Sequence, residues 1–354
     1  MMKLFVRLWI ILAWIALICI ALYSPRFTFF HSKKDKINVF AWGDILDTNI
    51  IKDFERSSGI KVNLSYYSSN EELLVKLKAT KGEGYDLIIP SDYAVSLLRE
   101  DHLLQPLDKS RLLFWDQLNP ALLDHKFDPD NRYSIPLEWE IYGLGIDTEF
   151  FSNRSFKEDW ALIFDKNNVD YKIAMTNDPA EAIVLAATYL FKNTSSLNKD
   201  RLAAVKSLLL EQKQWVEAYV TFRGDYFLIT KNCPVAVASS SYIWRTIKLF
   251  PHIDFFVPKK SFITIENICI PKSSDKIDLI YKFINFLYEP GIIEHHFKLF
   301  GFFPPTKIDL ANEADKDKLQ KWLSITKEEI KEFDFVKPLI SQQEMRDLWV
   351  ELKR

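Results

Sequence analysis

Glycine is scarce in this sequence, with only 9 glycines among 354 residues. Glycine-rich loops let backbone N–H groups approach phosphates, and the chain contains neither a P-loop nor a dinucleotide-binding fingerprint. The G-x-S-x-G pattern of many serine hydrolases is missing too, and the serine run at residues 239–241 has no base that the sequence identifies. No enzyme is therefore predicted, although catalytic groups that converge from distant positions would escape this reasoning.

Cysteine is equally rare, and Cys19, Cys233 and Cys269 lie far apart without zinc or C-x-x-C spacing. Cys233 and Cys269 are expected to be thiols, although a disulfide between them is compatible with the sequence in an oxidising compartment. His295 and His296 are adjacent in a predicted helix, so they point to different faces, and no carboxylate completes a metal site beside them. We therefore expect no metal and no cofactor.

An excess of charge of one sign is also lacking. The chain has 46 basic and 48 acidic side chains and a formal net charge of -2. No overall field attracts the protein to nucleic acid or to an anionic membrane, so no nucleic-acid partner is expected. A charged ligand must instead be held by a local cluster of side chains.

A long apolar run is found at the amino terminus. Lys3 and Arg7 precede an almost unbroken apolar stretch, residues 8–23, which matches the basic and hydrophobic regions of an export signal. The tripeptide ALY at 21–23 is a poor cleavage site, so cleavage and retention as an inner-membrane anchor are both compatible with the sequence. We assign residues 1–32 to this signal or anchor and predict that the rest of the chain is periplasmic.

Strand-like and helix-like segments alternate from residue 37 onward. Three β-type runs, 37–42, 60–67 and 85–90, are separated by amphipathic helices, which predicts a parallel sheet with helices on its faces. A second alternating set begins at residue 171, and the chain length also favours two domains. The predicted fold is therefore α/β with two lobes.

Hinge strands near residues 142–146 and 263–270 are expected to join the lobes. The predicted limits are residues 33–143 and 266–303 for lobe 1, and residues 144–265 and 304–354 for lobe 2. Ligands of open α/β sheets bind beyond the carboxyl ends of the strands. Polar and aromatic side chains stand at all three ends, with Tyr67 and Ser68 after the second strand. The candidates at the first and third ends are Trp42, Asp44, Ser91 and Tyr93.

Helix capping is the alternative explanation for several polar residues. Asp178 and Glu181 flank Pro179 in a near-ideal helix start, with an acid at the N-cap and Glu at the third position. Ser91 and Asp92 are suited to capping the helix that follows them. From the residues alone, capping explains these positions and a ligand is not required.

Several segments resemble the spermidine/putrescine-binding proteins of bacterial polyamine ABC transporters. The most specific are GIKV at 59–62, YDLIIPS at 85–91 and FDPDNRYSIP at 127–136, and the similarity extends over nearly everything after residue 36. It implies a two-lobed periplasmic-binding-protein fold of type II, in which each lobe is a mainly parallel sheet flanked by helices. It also implies a receptor, expected to be a monomer, that delivers a polyamine to an inner-membrane permease.

The resemblance implies which residues bind the ligand. Acids would bind the ammonium groups through charge-assisted hydrogen bonds, and aromatic rings would flank the methylene chain with cation–π contacts at its ends. Glu266 takes the place of an essential aspartate near the second hinge strand. The expected set is Trp42, Asp44, Ser91, Tyr93, Asp178, Glu181, Glu266 and Phe302.

The chain departs from the family pattern mainly in its aromatic residues. Ala238 or Ser239 stands where one family tryptophan is expected, and Thr264 stands at another. Phe302 keeps the ring of a family tyrosine without its hydroxyl, and no residue near the carboxyl terminus matches the family glutamine. Candidates to replace the missing rings are Tyr242, Trp244 and Trp139.

The function predicted from sequence is that of an extracytoplasmic receptor for spermidine or putrescine. Two alternatives stay open at this point. The same fold could bind another small cation, such as agmatine or a basic amino acid. An anchored sensor or interaction protein that no longer transports is compatible with the weak cleavage site and the altered aromatic residues.

Overall fold

The computed structural model describes residues 35–221, 223–309, 316–337 and 339–354, together with residues 9, 12–15, 17 and 18. The predicted signal or anchor, residues 1–32, thus lies almost entirely outside the described residues. None of the helices within the described ranges combines the length and the apolar character that spanning a bilayer demands.

Three parallel strands and their crossovers form the first α/β unit, as the alternating pattern predicts. Its elements are β1 (Lys36–Trp42), α1 (Thr48–Ser58), β2 (Lys61–Tyr67), α2 (Asn70–Thr80), β3 (Leu87–Ile88) and α3 (Asp92–Glu100). β1 lies in the middle and pairs in parallel with β2 and β3. Asp47 caps α1 by accepting a hydrogen bond from Asn49 N, and Gly59 ends this helix with a left-handed φ of 74°.

Short 3-10 turns connect α3 to a long strand, and further helices and strands follow. These elements are β4 (Ser134–Asp147), α4 (Ala161–Phe164), β5 (Ile173–Thr176), α5 (Pro179–Phe191), α6 (Lys199–Gln212), β6 (Val216–Val220), α7 (Gly224–Ile229), β7 (Val235–Ser239), α8 (Ser240–Ile247), β8 (Ile253–Phe256), β9 (Phe262–Cys269), α9 (Ile277–Leu287), α10 (Pro290–Phe300), α11 (Lys316–Leu323), β10 (Asp334–Phe335) and α12 (Gln342–Lys353). Parallel pairing of β5 with β6 and β7 forms the second predicted unit.

β4 joins the two units and is longer than the crossing predicted at residues 142–146. Its first part pairs antiparallel with β9, from Ser134 opposite Cys269 to Ile141 opposite Ile263. Its last part, from residue 142 onward, pairs with β7 and β8 instead. The strands therefore form one continuous sheet in the order β2-β1-β3-β9-β4-β7-β5-β6, with β10 beside β9 and β8 beside β4.

Apolar side chains form several cores, and two of them belong mainly to one unit each. One core packs β1 and β3 against α9 and includes Val39, Leu87 and Phe283. Another packs β5 and β7 against α5 and the carboxyl-terminal helix α12, and includes Leu348 and Leu352. Burial of this apolar surface stabilises each unit, while the residue limits of the two lobes stay a prediction.

The cysteines and histidines that were considered for disulfide and metal chemistry are part of the packing and hydrogen bonding of the fold. Cys233 and Cys269 are buried free thiols. His295 Nε2 lies 2.7 Å from Asp47 Oδ2, and His296 Nε2 accepts a 3.4 Å hydrogen bond from Asp47 N, so both join α10 to the start of α1. Within the described ranges, no group of three or more His, Cys, Asp or Glu residues is arranged to hold a metal.

We predict that Gly143→Ala destabilises the fold, because β4 is closely packed at this position. A Cβ on Gly143 would lie 2.5 Å from Phe256 O and 2.7 Å from Phe255 Cζ. The expected loss in free energy of unfolding is about 1–3 kcal/mol, measured by urea denaturation. Gly291→Ala is the control, since a Cβ there meets nothing within 4 Å. Equal stability of the two variants would contradict the close packing.

Candidate functional site

The carboxyl ends of β1 and β3 meet hinge strand β9 at one point of the sheet. Trp42 ends β1, and its indole Nε1 donates a 3.0 Å hydrogen bond to Glu266 Oε2 on β9. Ser91 follows β3 and forms an isolated antiparallel bridge with Glu266. Three of the predicted site residues, distant in sequence, are thus neighbours in the fold.

Ser91 and Asp92 do not share the helix cap as the sequence suggests. Ser91 occupies the N-cap of α3 without a side-chain capping bond, and its hydroxyl donates instead to Asn70 Oδ1 at 3.0 Å. The Asp92 carboxylate is buried and accepts a 2.8 Å hydrogen bond from Ile265 N. Asp92 therefore fastens α3 to β9. Burial raises the pKa of Asp92 to about 7.

Asp178 and Glu181 lie together at the start of α5 in the second unit. Asp178 Oδ1 accepts a 3.0 Å hydrogen bond from Glu181 N, so the predicted cap is present. Glu181 Oε2 accepts a 2.5 Å bond from Thr176 Oγ1 and is also bonded by the Tyr142 hydroxyl. Burial, and next the charge of Asp178, raise the pKa of Glu181. The cap holds both acids in place through a hydrogen bond and supplies no positively charged partner to either one.

Tyr93 and Gln342 connect the first unit to the second. The Tyr93 hydroxyl is hydrogen-bonded to the side chain of Gln342, the first residue of α12. Burial raises the pKa of Tyr93, and the negative charges of Glu71 and Asp178 add to this effect. Gln342 is a further candidate site residue, which the sequence reasoning missed. Its signal is the capping box that begins one residue earlier at Ser341, since the box fixes where α12 starts.

Glu138 and Glu140 are two further acids that the sequence reasoning missed. They alternate with apolar residues on β4, so they project from the same face of the sheet as Tyr142. Glu138 stands directly opposite Glu266 on β9. Glu140 Oε2 accepts a 2.7 Å hydrogen bond from Ser241 Oγ. The available signal was the alternation LEWEIY, in which acids occupy one side of an otherwise apolar strand.

Carboxyl groups accumulate along this face of the hinge. In the described part of the chain, none of the site carboxylates on β4, α5 and β9 forms an ion pair; these are Glu138, Glu140, Asp178, Glu181 and Glu266. Burial is the main cause that raises the pKa of all five, and Arg245 offsets part of the effect at Glu140. Buried carboxylates without counter-ions are costly, so the arrangement is suited to receiving a cation.

The aromatic part of the site is assembled differently from the expected pattern. Trp42 packs against Tyr67 with ring centroids 4.6 Å apart. Tyr242 is half-buried, and burial, followed by the charge of Glu140, raises its pKa, with a smaller contribution from Asp44. Tyr242 is therefore the candidate that replaces a missing ring. Asp44 itself is exposed and adopts a left-handed φ of 62°.

Trp139 and Trp244 are excluded as replacements because both are fully buried elsewhere. Each is only 1% exposed. Trp139 packs on Phe303, and Trp244 packs on Trp322. Phe302 is half-buried and packs against Phe300, while its neighbour Phe303 exchanges 2.9 Å backbone hydrogen bonds with Trp139.

The fold and the site together define a class of protein, the two-lobed solute-binding receptors. A model of the bacterial extracellular solute-binding protein family matches residues 49–322. The chain belongs to this family, which consists of solute-binding proteins rather than enzymes. The predicted two-lobed fold of type II is confirmed.

Known relatives cover most of the chain. A putrescine/cadaverine-binding protein of Pseudomonas aeruginosa is 30% identical over 72% of this chain and 75% of its own. A spermidine/putrescine-binding periplasmic protein of Escherichia coli is 28% identical over 75% of this chain and 76% of its own. A solved structure from Listeria monocytogenes, of a protein assigned to spermidine/putrescine ABC transport, has a TM-score of 0.76 and 27% identity, and the match covers 90% of this chain and 99% of that one. The resemblance read from the sequence is thus confirmed.

We predict that the free protein loses stability between about pH 7 and about pH 8. The folded protein binds more protons than the unfolded chain there, because burial, and next the charge of Asp178, raises the pKa of Glu181 to about 8, and burial raises that of Glu266 well above its usual range. His296 acts in the opposite sense at lower pH only, because burial lowers its pKa to about 4.

Thermal unfolding at these pH values measures the effect. Glu181→Gln removes one of the responsible groups, so its stability should fall less steeply over the same interval. A melting temperature that rises from pH 7 to pH 8 would show that these acids are ionised and stabilised in the free protein.

Proposed function

We propose that the protein is an extracytoplasmic receptor that binds spermidine or putrescine between its lobes and delivers it to the permease of an ABC transporter. The observation that supports this most is the row of carboxylates without ion-pair partners along the hinge, bordered by Trp42 and Tyr93. The names of the relatives in Pseudomonas aeruginosa and Escherichia coli agree with such a ligand. No catalytic role is proposed for these acids.

The site residues have distinct proposed roles. Asp178 and Glu181 bind the ammonium group at the α5 end, and Glu266 binds one at the β9 end. Trp42, Tyr93 and Phe302 cover the methylene chain, while Ser91 and Asp44 lie at the strand ends that border the cleft. Charge-assisted hydrogen bonds and cation–π contacts would offset the cost of removing the cation from water.

Binding is proposed to close the lobes, which comprise residues 33–143 with 266–303, and 144–265 with 304–354. The hydrogen bond between Tyr93 and Gln342 supports this proposal, because it joins α3 of the first lobe to α12 of the second. Closed lobes would present one surface to the permease. The receptor acts in the periplasm as a monomer, either free or held to the inner membrane by residues 1–32.

Calorimetry on the exported protein tests the ligand class. Putrescine, spermidine and cadaverine are titrated separately, together with agmatine and lysine as other cations. We expect at least one polyamine to bind more tightly than lysine, because two separated groups of acids favour a ligand with two separated charges. Binding of lysine or agmatine alone would replace the polyamine with a different cation. Absence of binding by all five would refute the proposed function.

We predict that Glu266→Gln weakens polyamine binding by about 2 kcal/mol, or roughly thirtyfold in affinity. The amide keeps the shape of the side chain but loses the charge that pairs with the ammonium group. Glu149→Gln is the matched control, since Glu149 is exposed and pairs with Lys231 away from the hinge. Unchanged affinity of Glu266→Gln would remove this residue from the site.

A further inference from the structure

Glu138 is a buried acid with an oxygen that lacks a partner. Its side chain is on β4, the residue is only 4% exposed, and Oε1 has no hydrogen-bond partner in the structure. Neither the family resemblance nor the helix caps account for an acid at this position. An unpaired carboxyl oxygen in the interior costs free energy unless another group meets it.

Among the described residues, the groups that face Glu138 supply neither a positive charge nor a free proton donor. Glu266 faces it from β9, and Glu140 stands next to it on the same face of β4. Tyr288 faces it from the end of α9, but the phenol donates its hydrogen to Pro136 O.

Donors near the two neighbouring acids are also committed. Trp42 Nε1 donates to Glu266, and Ser241 Oγ donates to Glu140. Asp92 faces Glu266 from α3 and adds negative charge, while Arg245 acts on Glu140. None of these described residues is thus available as the missing partner of Glu138, and a bound cation or a proton can take that place.

Resting on the proposed function, we propose that Glu138 is a ligand-binding residue and forms, with Glu266, a paired-carboxyl subsite for one terminal primary ammonium group. Directly opposite residues of antiparallel strands have Cβ atoms about 4.5–5.5 Å apart, so a single cation can reach both carboxyls. A primary ammonium has three N–H donors on one small atom. It can bond Glu138 and Glu266 together, whereas a tertiary ammonium has a single N–H and more bulk.

The pair also implies that binding releases a proton. Two adjacent buried carboxyls do not both ionise readily, so the free subsite holds a proton that neutralises one of them. Burial, and next the charge of Glu266, raise the pKa of Glu138 well above its usual range. When R–NH₃⁺ enters, the O–H bond of the carboxylic acid breaks and its proton passes to solvent. The product is a carboxylate paired with the intact ammonium ion, so charge and atoms balance.

Calorimetry with putrescine at pH 7 tests the subsite in the full exported protein. The binding enthalpies measured in phosphate and in Tris differ in proportion to the number of protons released, because the two buffers differ in ionisation enthalpy. We expect the wild type to release protons on binding. Glu138→Gln should lower the affinity by roughly ten- to hundredfold and should release fewer protons, while Glu149→Gln should match the wild type in both.

A second probe tests the subsite without a variant. N,N,N′,N′-tetramethylputrescine keeps both charges but has one N–H at each end. The wild type should bind it at least roughly tenfold more weakly than putrescine, and Glu138→Gln should narrow that difference. A residue with a purely structural role would not change this selectivity.

The outcomes separate this inference from the proposed function. Failure of the wild type to bind any of the five cations overturns both. Binding of putrescine with no proton release, or with equal affinity for wild type and Glu138→Gln, overturns the subsite alone. Equal binding of putrescine and its tetramethyl form by the wild type also overturns it, and this result does not depend on how the variant folds.

Discussion

The antiparallel pairing of β4 with β9 is the interaction on which the rest of the structure depends. β4 exchanges partners along its length, from β9 to β7 and β8, and so links the two α/β units through continuous backbone hydrogen bonds. The same register places Glu138 against Glu266. One constraint thus sets both the connection between the units and the position of the acids at their junction.

The cost of this arrangement is electrostatic. Acids on two hinge strands and on α5 share a region in which burial opposes ionisation, and they have few basic neighbours. A protein can hold such groups by keeping protons on them or by binding a cation. Helix caps hold the acids of α5 in position, while Trp42 holds Glu266 through a single hydrogen bond. These bonds therefore hold the acids of α5 and Glu266 in position locally.

Much of the site could be found from local patterns. Trp42 and Ser91 were proposed from the rule that ligands bind beyond strand ends. The N-cap spacing of Asp178 predicted the cap that the structure confirms, and only the family resemblance proposed this acid for the site. Glu138 was not found, because an acid in an apolar strand has no significance until its partner across the strand pair is known. Gln342 was missed because α12 reaches Tyr93 only through the packing of the carboxyl terminus.

The sequence by itself determined the order of strands and helices, most of the caps and the family, because these depend on local periodicity and short motifs. Only the tertiary structure decided which rings and acids meet. Trp139, Trp244 and Tyr242 were equal candidates in the sequence to replace a missing ring. Packing buries both tryptophans and leaves the tyrosine near Glu140. The physical reason is that the residue type sets which interactions a side chain can form, while strand register and core packing set which groups lie within its reach.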